Sequence, residues 1–523
     1  MSITHAGGRL EHDLAKRVCY VRARSDRRPA DMVTSASWHQ HPSPTSLERL
    51  RLRPRASRRL TKRRSRARHR LTIPTPLLIM RIHALFAVAI TTLLFILAAP
   101  HTAAAQSSAS NSLQREIESR LPSVMPKVVA WRRDIHEHPE LSNEEVRTAA
   151  LVAAHLTSLG FEVQTGIGKT GVVGILRGGR PGPVVALRAD MDGLPVTELV
   201  DLPFRSRVRT QWQGADVGVM HACGHDNHVA ILMGAAEVLA GMKATLPGTV
   251  KFIFQPAEEG LGGAKAMIAD GALRAPEPSA IFGLHVWPTT VGEIGVRAGP
   301  QMAAAGNFSI IVKGRQTHGS QPWSGVDPIV VSAQIILGLQ TIASRQVNVA
   351  YLPSVLTVGQ IQGGNRSNII PDSVVLVGTL RTFDDAMRRD IASRITRTAQ
   401  DIATSAGATA IVKIDAGGLV QANDTSLTER MVPTLRRAAG AGGFRFINPI
   451  MGSEDFPEFT RDIPGVFFFL GVTPKGKDPA AAPANHSPLF FADEAALETG
   501  VRAMSALAVD YLSAPVSGAR GSR

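Results

Sequence analysis

The amino-acid sequence predicts a two-domain α/β protein in which a ferredoxin-like α+β domain is inserted into a larger α/β domain. Short, continuously apolar runs alternate with helical stretches, as in sheets that are buried on both faces. Residues 300–416 follow the order strand, helix, strand, strand, helix, strand, which is the ferredoxin-like order. The parent α/β pattern then resumes near Leu419.

The larger domain is predicted to begin with two helices. Apolar residues recur at helical spacing across residues 112–160, and the segment HEHPEL at 136–141 separates the helices, because Pro139 removes an amide and restrains the residue before it. Gly160 ends the second helix. The buried strands that follow are Val184–Leu187, Val250–Phe254, Ala280–Leu284 and Val466–Leu470, with helices at Val229–Met242 and from Gly262.

The inserted domain is predicted from six segments that alternate in type. Its strands are Phe308–Lys313, Val355–Gln362, Ser373–Arg381 and Ala410–Ile414, and its helices are Asp327–Ser344 and Ala386–Ser405. A β-α-β-β-α-β unit of this length makes a compact domain.

The charge of the chain is concentrated at its N-terminus. A formal net charge of +15 would by itself favour nucleic acid or an anionic membrane as a partner. Residues 1–79 hold 19 Lys and Arg against 5 Asp and Glu, which leaves 39 basic and 38 acidic residues, a net charge of +1, for residues 80–523. We therefore expect no nucleic-acid partner for the folded part. Two cysteines, Cys19 and Cys223, are too few for a disulfide framework.

A secretory signal peptide is predicted from Met80 onward. A short basic start precedes an apolar run from Leu85 to Ala99, and small residues then lead to Gln106. The run is shorter than the about 20 residues of a transmembrane helix, so no stable membrane anchor is expected after cleavage. We expect a periplasmic or secreted protein, and residues 1–79 to be a basic disordered segment that results from a start codon assigned too early. The predicted segments are 1–79, the signal peptide 80–105, the larger domain 106–299 and 417–515, the inserted domain 300–416 and a tail 516–523.

Chemically reactive side chains follow the predicted strands. The carboxyl ends of parallel strands meet at one edge of a sheet, so these side chains should lie close together. Each residue alone is explained by burial or by a solvated helix start, but a thiol, imidazoles and carboxylates at one edge indicate a transition-metal site. The residues are Asp190, Asp192, Glu258, Glu259, His285 and His486, and the segment HACGHDNH at 221–228 adds Cys223 and His225.

Eight motifs give the chain a specific family resemblance. The chain resembles the M20 metallopeptidase family from about residue 112 to 512, most closely its amidohydrolase branch, which includes hippurate hydrolases and plant auxin-conjugate amidohydrolases. The resemblance implies a catalytic domain with two divalent metal ions per subunit, interrupted by a lid or dimerisation domain. The motifs are RRDIHEHPELS (132–142), RADMDGLP (188–195), MHACGHDNH (220–228), QPAEEG (255–260), GLHVWP (283–288), SNIIPD (367–372), GSEDF (452–456) and NHSP (485–488).

The resemblance also implies roles for individual residues in the catalytic domain. Glu258 matches the general base, and Zn²⁺ or Mn²⁺ is expected, with Co²⁺ and Ni²⁺ left open. Asp190 and Asp192 stand where other members have a His-x-Asp ligand pair, and we expect them to support the site without ligating metal. The matched metal ligands are Cys223, His225, Glu259, His285 and His486, while His136, His138, His221 and His228 are expected to pack around the site.

The inserted domain is expected to complete the active site. The family has Gly-Gly-His where this chain has Gln316-Thr317-His318, and the resemblance implies that His318 stabilises the oxyanion in the active site of a partner subunit. Asn368 and Arg381 resemble residues that bind the substrate carboxylate, although Arg381 is also explained as an exposed charge at a strand end. A homodimer or a higher homo-oligomer is therefore expected.

The resemblance implies an enzyme that cleaves the amide bond of small N-acyl amino acids, hippurate-like conjugates among them. Metal-activated water would attack the amide, with Glu258 as general base. An M20-type metallo-exopeptidase or dipeptidase is an alternative that would differ in the shape of the pocket. A non-catalytic metal- or ligand-binding protein on the same scaffold would need a lost base or ligand, and the sequence retains all of them.

Overall fold

The computed structural model of the protein describes residues 111–415 and 417–513. The predicted segments 1–79 and 80–105 and the tail 516–523 lie outside the described residues. In chain order the helices are α1 (111–137), α2 (Val146–Ser158), α3 (His225–Gly241), α4 (Gly263–Ala269), α5 (Pro328–Thr341), α6 (Asp385–Ser405), α7 (Thr425–Ala439) and α8 (Ala496–Ser513). The strands are β1 (Glu162–Ile167), β2 (Gly171–Arg177), β3 (Arg180–Asp190), β4 (Arg209–Trp212), β5 (Ala215–Gly218), β6 (Pro247–Gln255), β7 (Ile281–Thr290), β8 (Ile294–Val296), β9 (Gly299–Met302), β10 (Ala304–Lys313), β11 (Thr317–His318), β12 (Ser354–Gly363), β13 (Ile369–Ile370), β14 (Ser373–Thr382), β15 (Thr409–Asp415), β16 (Gln421–Asn423), β17 (Phe444–Phe446) and β18 (Gly465–Thr473).

An eight-stranded sheet forms the centre of the larger domain, in the order β1-β2-β6-β3-β7-β18-β8-β17. The four predicted buried strands correspond to β3, β6, β7 and β18, which pair in parallel. The sequence pattern did not predict β1 and β2, which add an antiparallel edge, or the short strands β8 and β17. The α/β class predicted from the sequence is confirmed.

Helices cover both faces of this sheet. One face packs against α1, α3 and α8, and nearly all of α3 is buried because it lies between the sheet and other helices. The other face carries a smaller aromatic core that includes Phe456, Phe459 and Phe467. The predicted break between α1 and α2 is also confirmed, with α1 ending at residue 137 and α2 beginning at Val146.

β7 is longer than predicted. The predicted strand ended at Leu284 and placed His285 beyond it, whereas β7 continues to Thr290 and contains His285. β18 pairs with β7 from Ile281 through Trp287, and this ladder keeps the chain extended past the histidine. His285 therefore extends from the sheet itself and is held more rigidly than a loop residue.

The inserted domain has the predicted ferredoxin-like arrangement. Its four strands form an antiparallel sheet in the order β12-β14-β10-β15. Helices α5 and α6 pack on this sheet around a core of their own, which includes Val331, Ile335, Ile391 and Ile395. The predicted helix and strand order of this unit is confirmed.

The segment Pro328–Gln346 is long and apolar enough to cross a membrane, by length and composition alone. A third of it is buried, and its buried residues belong to the core of the inserted domain. α5 nevertheless exposes several apolar side chains. They are Ile329, Val330 and Leu337.

Candidate metal centre

The sequence Cys223-Gly224-His225 brings a thiol and an imidazole together at the start of α3. Cys223 precedes the helix and His225 is its first residue. Gly224 has a φ of +88°, and a Cβ on it would lie 2.4 Å from Val286 Cγ2. Only glycine combines a left-handed backbone with the space for this contact, so the tight spacing of the two side chains depends on it.

The turn after β6 carries Glu258 and Glu259. Ala257 before them has a φ of +52°, and strained backbone of this kind clusters at functional sites. The Ala257 amide donates a hydrogen bond to Glu145 Oε1 at 2.9 Å. The carboxylate of Asp192 accepts the amide hydrogens of Glu258 and Glu259 at 3.2 Å and 3.1 Å. Asp192 thus orients both glutamates through their backbone.

The thiol of Cys223 lies between two imidazoles. Its Sγ is 3.3 Å from His285 Nε2 and 3.3 Å from His486 Nε2. His486 has a φ of +71°, and its Nε2 is 3.1 Å from Glu259 Oε1. The side chains of Cys223, Glu259 and His486 place one ligand atom each within 4.8 Å of the others. A second such group, with His225 and His285, shares the same thiol, so the structure brings all five predicted ligands together.

The donor atoms fit divalent cations. Burial and the carboxylates of Glu259 and Glu258 raise the pKa of the Cys223 thiol well above its ordinary value, so a thiolate there requires a neighbouring cation. The buried Nε2 of His225 has no hydrogen-bond partner among the described residues, while its Nδ1 lies 2.8 Å from the main-chain oxygen of Asp192. One fixed and one free ring nitrogen is the arrangement of a metal-ligating histidine.

The electrostatic environment also favours positive charge. Burial alone would lower the pKa of His225, but Asp190 and Asp192 raise it to about 10. Burial, Glu454 and Glu259 raise the pKa of Glu258 well above its ordinary value. The site therefore holds more buried carboxylates than buried cations. A bound metal ion would neutralise this excess of negative charge.

Both oxygens of Asp190 already have partners. Oδ2 accepts from Arg188 at 2.6 Å, and Oδ1 lies 2.5 Å from Nδ1 of His228. The Nε2 of His228 accepts the amide hydrogen of Val286 at 2.8 Å, within β7. Asp190 Oδ1 is 3.8 Å from His225 Nε2, and these residues with His228 form a further group of possible ligands. The hydrogen bonds favour a supporting function for Asp190.

A buried arginine, Arg188, pairs with carboxylates from two segments of the site that are distant in sequence. Arg188 is fully buried and donates to Gln255 at 2.8 Å, to Glu454 at 2.8 Å and to Asp455 at 3.1 Å, in addition to Asp190. Burial, assisted by Glu454 and opposed by Arg188, raises the pKa of Asp455 to about 8. Sequence reasoning assigned no function to Arg188, although a charged residue inside an apolar strand indicates buried partners.

A cavity of about 600 Å³ opens over the donor cluster, between the larger domain and the inserted domain. Arg381 from β14 lines it and donates to Ser453 Oγ at 2.9 Å. Burial lowers the pKa of the Arg381 guanidinium, and no carboxylate of the described residues forms an ion pair with it. The predicted site residues that also line this cavity are Cys223, Glu258, Glu259, His285 and His486.

Two predicted substrate-binding residues lie elsewhere in the inserted domain. His318 pairs with Ile369 between β11 and β13, and the Gly319 amide donates to the main-chain oxygen of Asn368 at 2.8 Å. Both His318 and Asn368 are exposed, and neither lines the cavity of its own chain. Within one subunit the structure therefore does not bring them to the donor cluster.

Three further histidines flank the motifs. His136 is buried between Asp226 at 2.9 Å and Glu198 at 3.1 Å. His221 is also buried, and burial lowers its pKa to about 4. His138 is exposed. None of the three joins a group of possible metal ligands in the described part of the chain.

Comparison with known proteins identifies the family. A model of peptidase family M20/M25/M40 matches residues 186–510. Thermostable carboxypeptidase 2 of Saccharolobus solfataricus is 39% identical over 406 residues, which are 76% of this chain and 99% of that protein. N-acetyl-L-cysteine deacetylase of Bacillus subtilis is 38% identical over 380 residues, 72% of this chain and 86% of that protein. The Bacillus subtilis YXEP protein, titled a dinuclear metal binding peptidase from M20 family, is 36% identical with a TM-score of 0.62, covering 75% of this chain and 99% of that one.

Together with these relatives, the fold and the donor cluster define the class of the protein as a hydrolase with a metal-binding α/β domain. The chain belongs to peptidase family M20/M25/M40. The family resemblance drawn from the sequence motifs is thereby confirmed.

Proposed function

We propose that the protein is a metal-dependent amidohydrolase that cleaves the amide bond of N-acyl amino acids. The observation that carries this proposal is Arg381, whose guanidinium faces the cavity over the donor cluster without a carboxylate of its own. An N-acyl amino acid presents a carboxylate two bonds from its amide nitrogen, and a planar guanidinium can bind that group through two hydrogen bonds. The relative named for N-acetyl-L-cysteine deacetylation supports this substrate class.

Two divalent metal ions would occupy the donor cluster. When bound, they would supply the Lewis acidity that polarises a carbonyl and acidifies water. The mixture of thiolate, imidazole and carboxylate suits Zn²⁺, and Mn²⁺, Co²⁺ or Ni²⁺ are compatible alternatives. The residues that would hold the ions are Cys223, His225, Glu259, His285 and His486.

Glu258 would act as the general base. Its carboxylate lines the cavity and groups with Glu454 and Asp455, and also with His225 and Glu259, whereas Glu259 alone of the two glutamates groups with the thiol. Glu258 would accept one proton from water as the water oxygen attacks the amide carbon. It would then donate that proton to the nitrogen as the C–N bond breaks, which releases a carboxylic acid and an amino acid.

A metallo-exopeptidase or dipeptidase is the second candidate. A dipeptide presents the same amide and carboxylate, and a relative of this chain is named a carboxypeptidase. A non-catalytic binding protein is disfavoured, because Glu258 and all five candidate ligands are present.

A substrate panel tests the proposal. The purified protein, loaded with each of the four metals in turn, is offered N-acetyl and N-benzoyl amino acids beside dipeptides with the same C-terminal residue. We expect release of the amino acid from the N-acyl compounds. Hydrolysis of the dipeptides alone would favour the peptidase, and hydrolysis of neither class would contradict both candidates.

We predict that Cys223→Ser loses metal and activity together. A hydroxyl is a far poorer ligand than a thiolate for these ions, and Cys223 belongs to the two groups that together contain all five predicted ligands. Metal analysis by mass spectrometry, beside the rate on the best substrate, measures the effect, and circular dichroism checks that the variant is folded. Full metal content with full activity would leave Cys223 as a buried apolar residue only.

We further propose a homodimer in which His318 and Asn368 complete the partner's active site. Both are exposed and lie away from the cavity of their own chain, and α5 exposes apolar side chains on which a second copy could dock. We predict that mixing inactive His318→Ala and Glu258→Ala proteins restores activity. After full exchange, half of the dimers hold one complete site, so about a quarter of wild-type activity should return. No recovery after demonstrated subunit exchange would contradict the shared site.

We also propose that the mature protein is periplasmic or secreted and begins near Gln106. The support is the signal-like sequence after Met80, which lies outside the described residues. N-terminal sequencing of the native protein should give a start near Gln106. An intact chain that starts at Met1 in the cytoplasm would contradict this proposal.

A further inference from the structure

Apolar side chains line the cavity beside Arg381. Trp287 follows His285 by two positions in β7, so the two side chains share a face, and their rings are 5.9 Å apart. Met302 is almost completely buried and lines the same cavity. Trp287 and Met302 meet at Gly452, where an added Cβ would lie 3.3 Å from Met302 Cε and 3.8 Å from Trp287 Cη2. We call these three residues the apolar wall.

The apolar wall adjoins the proposed carboxylate site. Gly452 directly precedes Ser453, whose hydroxyl accepts a hydrogen bond from Arg381 at 2.9 Å. In an N-acyl amino acid, the side chain branches from the carbon bonded to the carboxylate, whereas the acyl substituent lies beyond the amide. The group that reaches the wall when Arg381 holds the carboxylate is therefore the side chain of the amino acid.

We infer that the apolar wall selects N-acyl amino acids with a medium-sized apolar side chain, such as leucine or methionine. This inference rests on the proposed function. A Cβ on Gly452 would already lie 3.3 Å from Met302 Cε and 3.8 Å from Trp287 Cη2, so a larger residue there would displace these side chains and narrow the cavity beside Arg381. Burying a side chain of this size supplies discrimination against glycine substrates.

Trp287 separates the cavity beside Arg381 from a second cavity. This second cavity, of about 290 Å³, is also lined by Trp287, together with residues that include Ile447, Ile450 and Phe469. The indole packs on Phe469 at 5.0 Å and is the residue common to both cavities. Removing the indole would join the two spaces and admit an aromatic amino-acid side chain.

Paired substrates test the inference. The ratio of kcat/KM for N-acetyl-leucine to that for N-acetylglycine reports the amino-acid side chain, and the ratio for N-benzoylglycine to N-acetylglycine reports the acyl group. We expect the wild-type leucine ratio to be on the order of 100 or more, because leucine buries four carbon atoms that glycine lacks. Gly452→Val should lower it by about tenfold or more, with Gly452→Ala between the two. Trp287→Ala should shift the preference from leucine toward phenylalanine.

Gly359→Val is the matched control, since a Cβ at this exposed strand position meets nothing within 4 Å. Its leucine ratio should equal that of the wild type. An unchanged leucine ratio in Gly452→Val, or a change confined to the benzoyl ratio, would overturn the inference.

Isothermal titration calorimetry of the wild-type protein tests the inference without any variant. Wild-type protein should bind the product leucine more tightly than glycine, and equal affinities would overturn the inference. A wild-type protein that binds leucine preferentially but hydrolyses no N-acyl amino acid would contradict the proposed function while supporting the wall.

Discussion

Replacing Glu258 with glutamine should lower the turnover rate by about 10²–10⁴-fold, the usual contribution of a positioned acid–base group. Glutamine keeps the size of the side chain and some of its hydrogen bonding, but it cannot accept the proton from water. Metal content and substrate binding should be unchanged, because Glu258 belongs to neither group of ligand atoms that includes the thiol, and in its group with His225 and Glu259 the amide of glutamine keeps one oxygen donor. Single-turnover rates measured beside metal analysis provide the test.

Glu259→Gln is the matched control, with the same chemical change one residue away. Glu259 lies 3.1 Å from His486 Nε2 and groups with Cys223, so this variant should lose metal as well as rate. Asp192 accepts the backbone amides of both glutamates, so the turn should survive either substitution. If Glu258→Gln loses metal and Glu259→Gln retains it, the two proposed functions are exchanged.

Replacing Arg188 with methionine should strongly destabilise the protein, by about 3–5 kcal/mol in the free energy of unfolding. The guanidinium is fully buried, and its removal leaves the carboxylates of Asp190, Glu454 and Asp455 without their shared cation. Uncompensated buried charge is far more costly than the loss of a surface ion pair. Urea unfolding after removal of metal measures the change without a contribution from bound ions.

Arg209→Met is the control for this experiment. Arg209 pairs with Asp216 on the hairpin of β4 and β5, where both side chains are about half exposed. This change should cost about 0–1 kcal/mol. Equal stability of the two variants would show that the Arg188 cluster does not stabilise the folded protein. Arg188→Lys, which keeps the charge and loses the planar fork, should lie between them.

The fold was predicted from the sequence where one pattern dominated. Continuous apolar runs identified β3, β6, β7 and β18 because these strands are buried on both faces, and alternating elements identified the inserted domain. Short strands such as β8 and β17, with three residues each, carry too little pattern to be recognised. The extension of β7 past His285 depends on its ladder with β18, which is a contact distant in sequence.

The sequence likewise predicted only part of the candidate site. The strand ends located the donors, and Gly224 indicated the tight turn between Cys223 and His225. The hydrogen bonds that the amides of Glu258 and Glu259 donate to Asp192 could not be predicted, because they join segments more than 60 residues apart. The sequence cannot indicate whether Arg381 has a carboxylate partner, since that depends on the packing of the inserted domain over the cavity.

The most direct test of metal-dependent hydrolysis is a metal titration of the chelator-treated protein, with bound metal and hydrolysis of an N-acyl amino acid measured in the same samples. We expect negligible activity without metal and a rate that rises with occupancy until two ions per chain are bound. Full hydrolysis by the metal-free protein would contradict it. So would two bound ions per chain with no hydrolysis of any N-acyl amino acid.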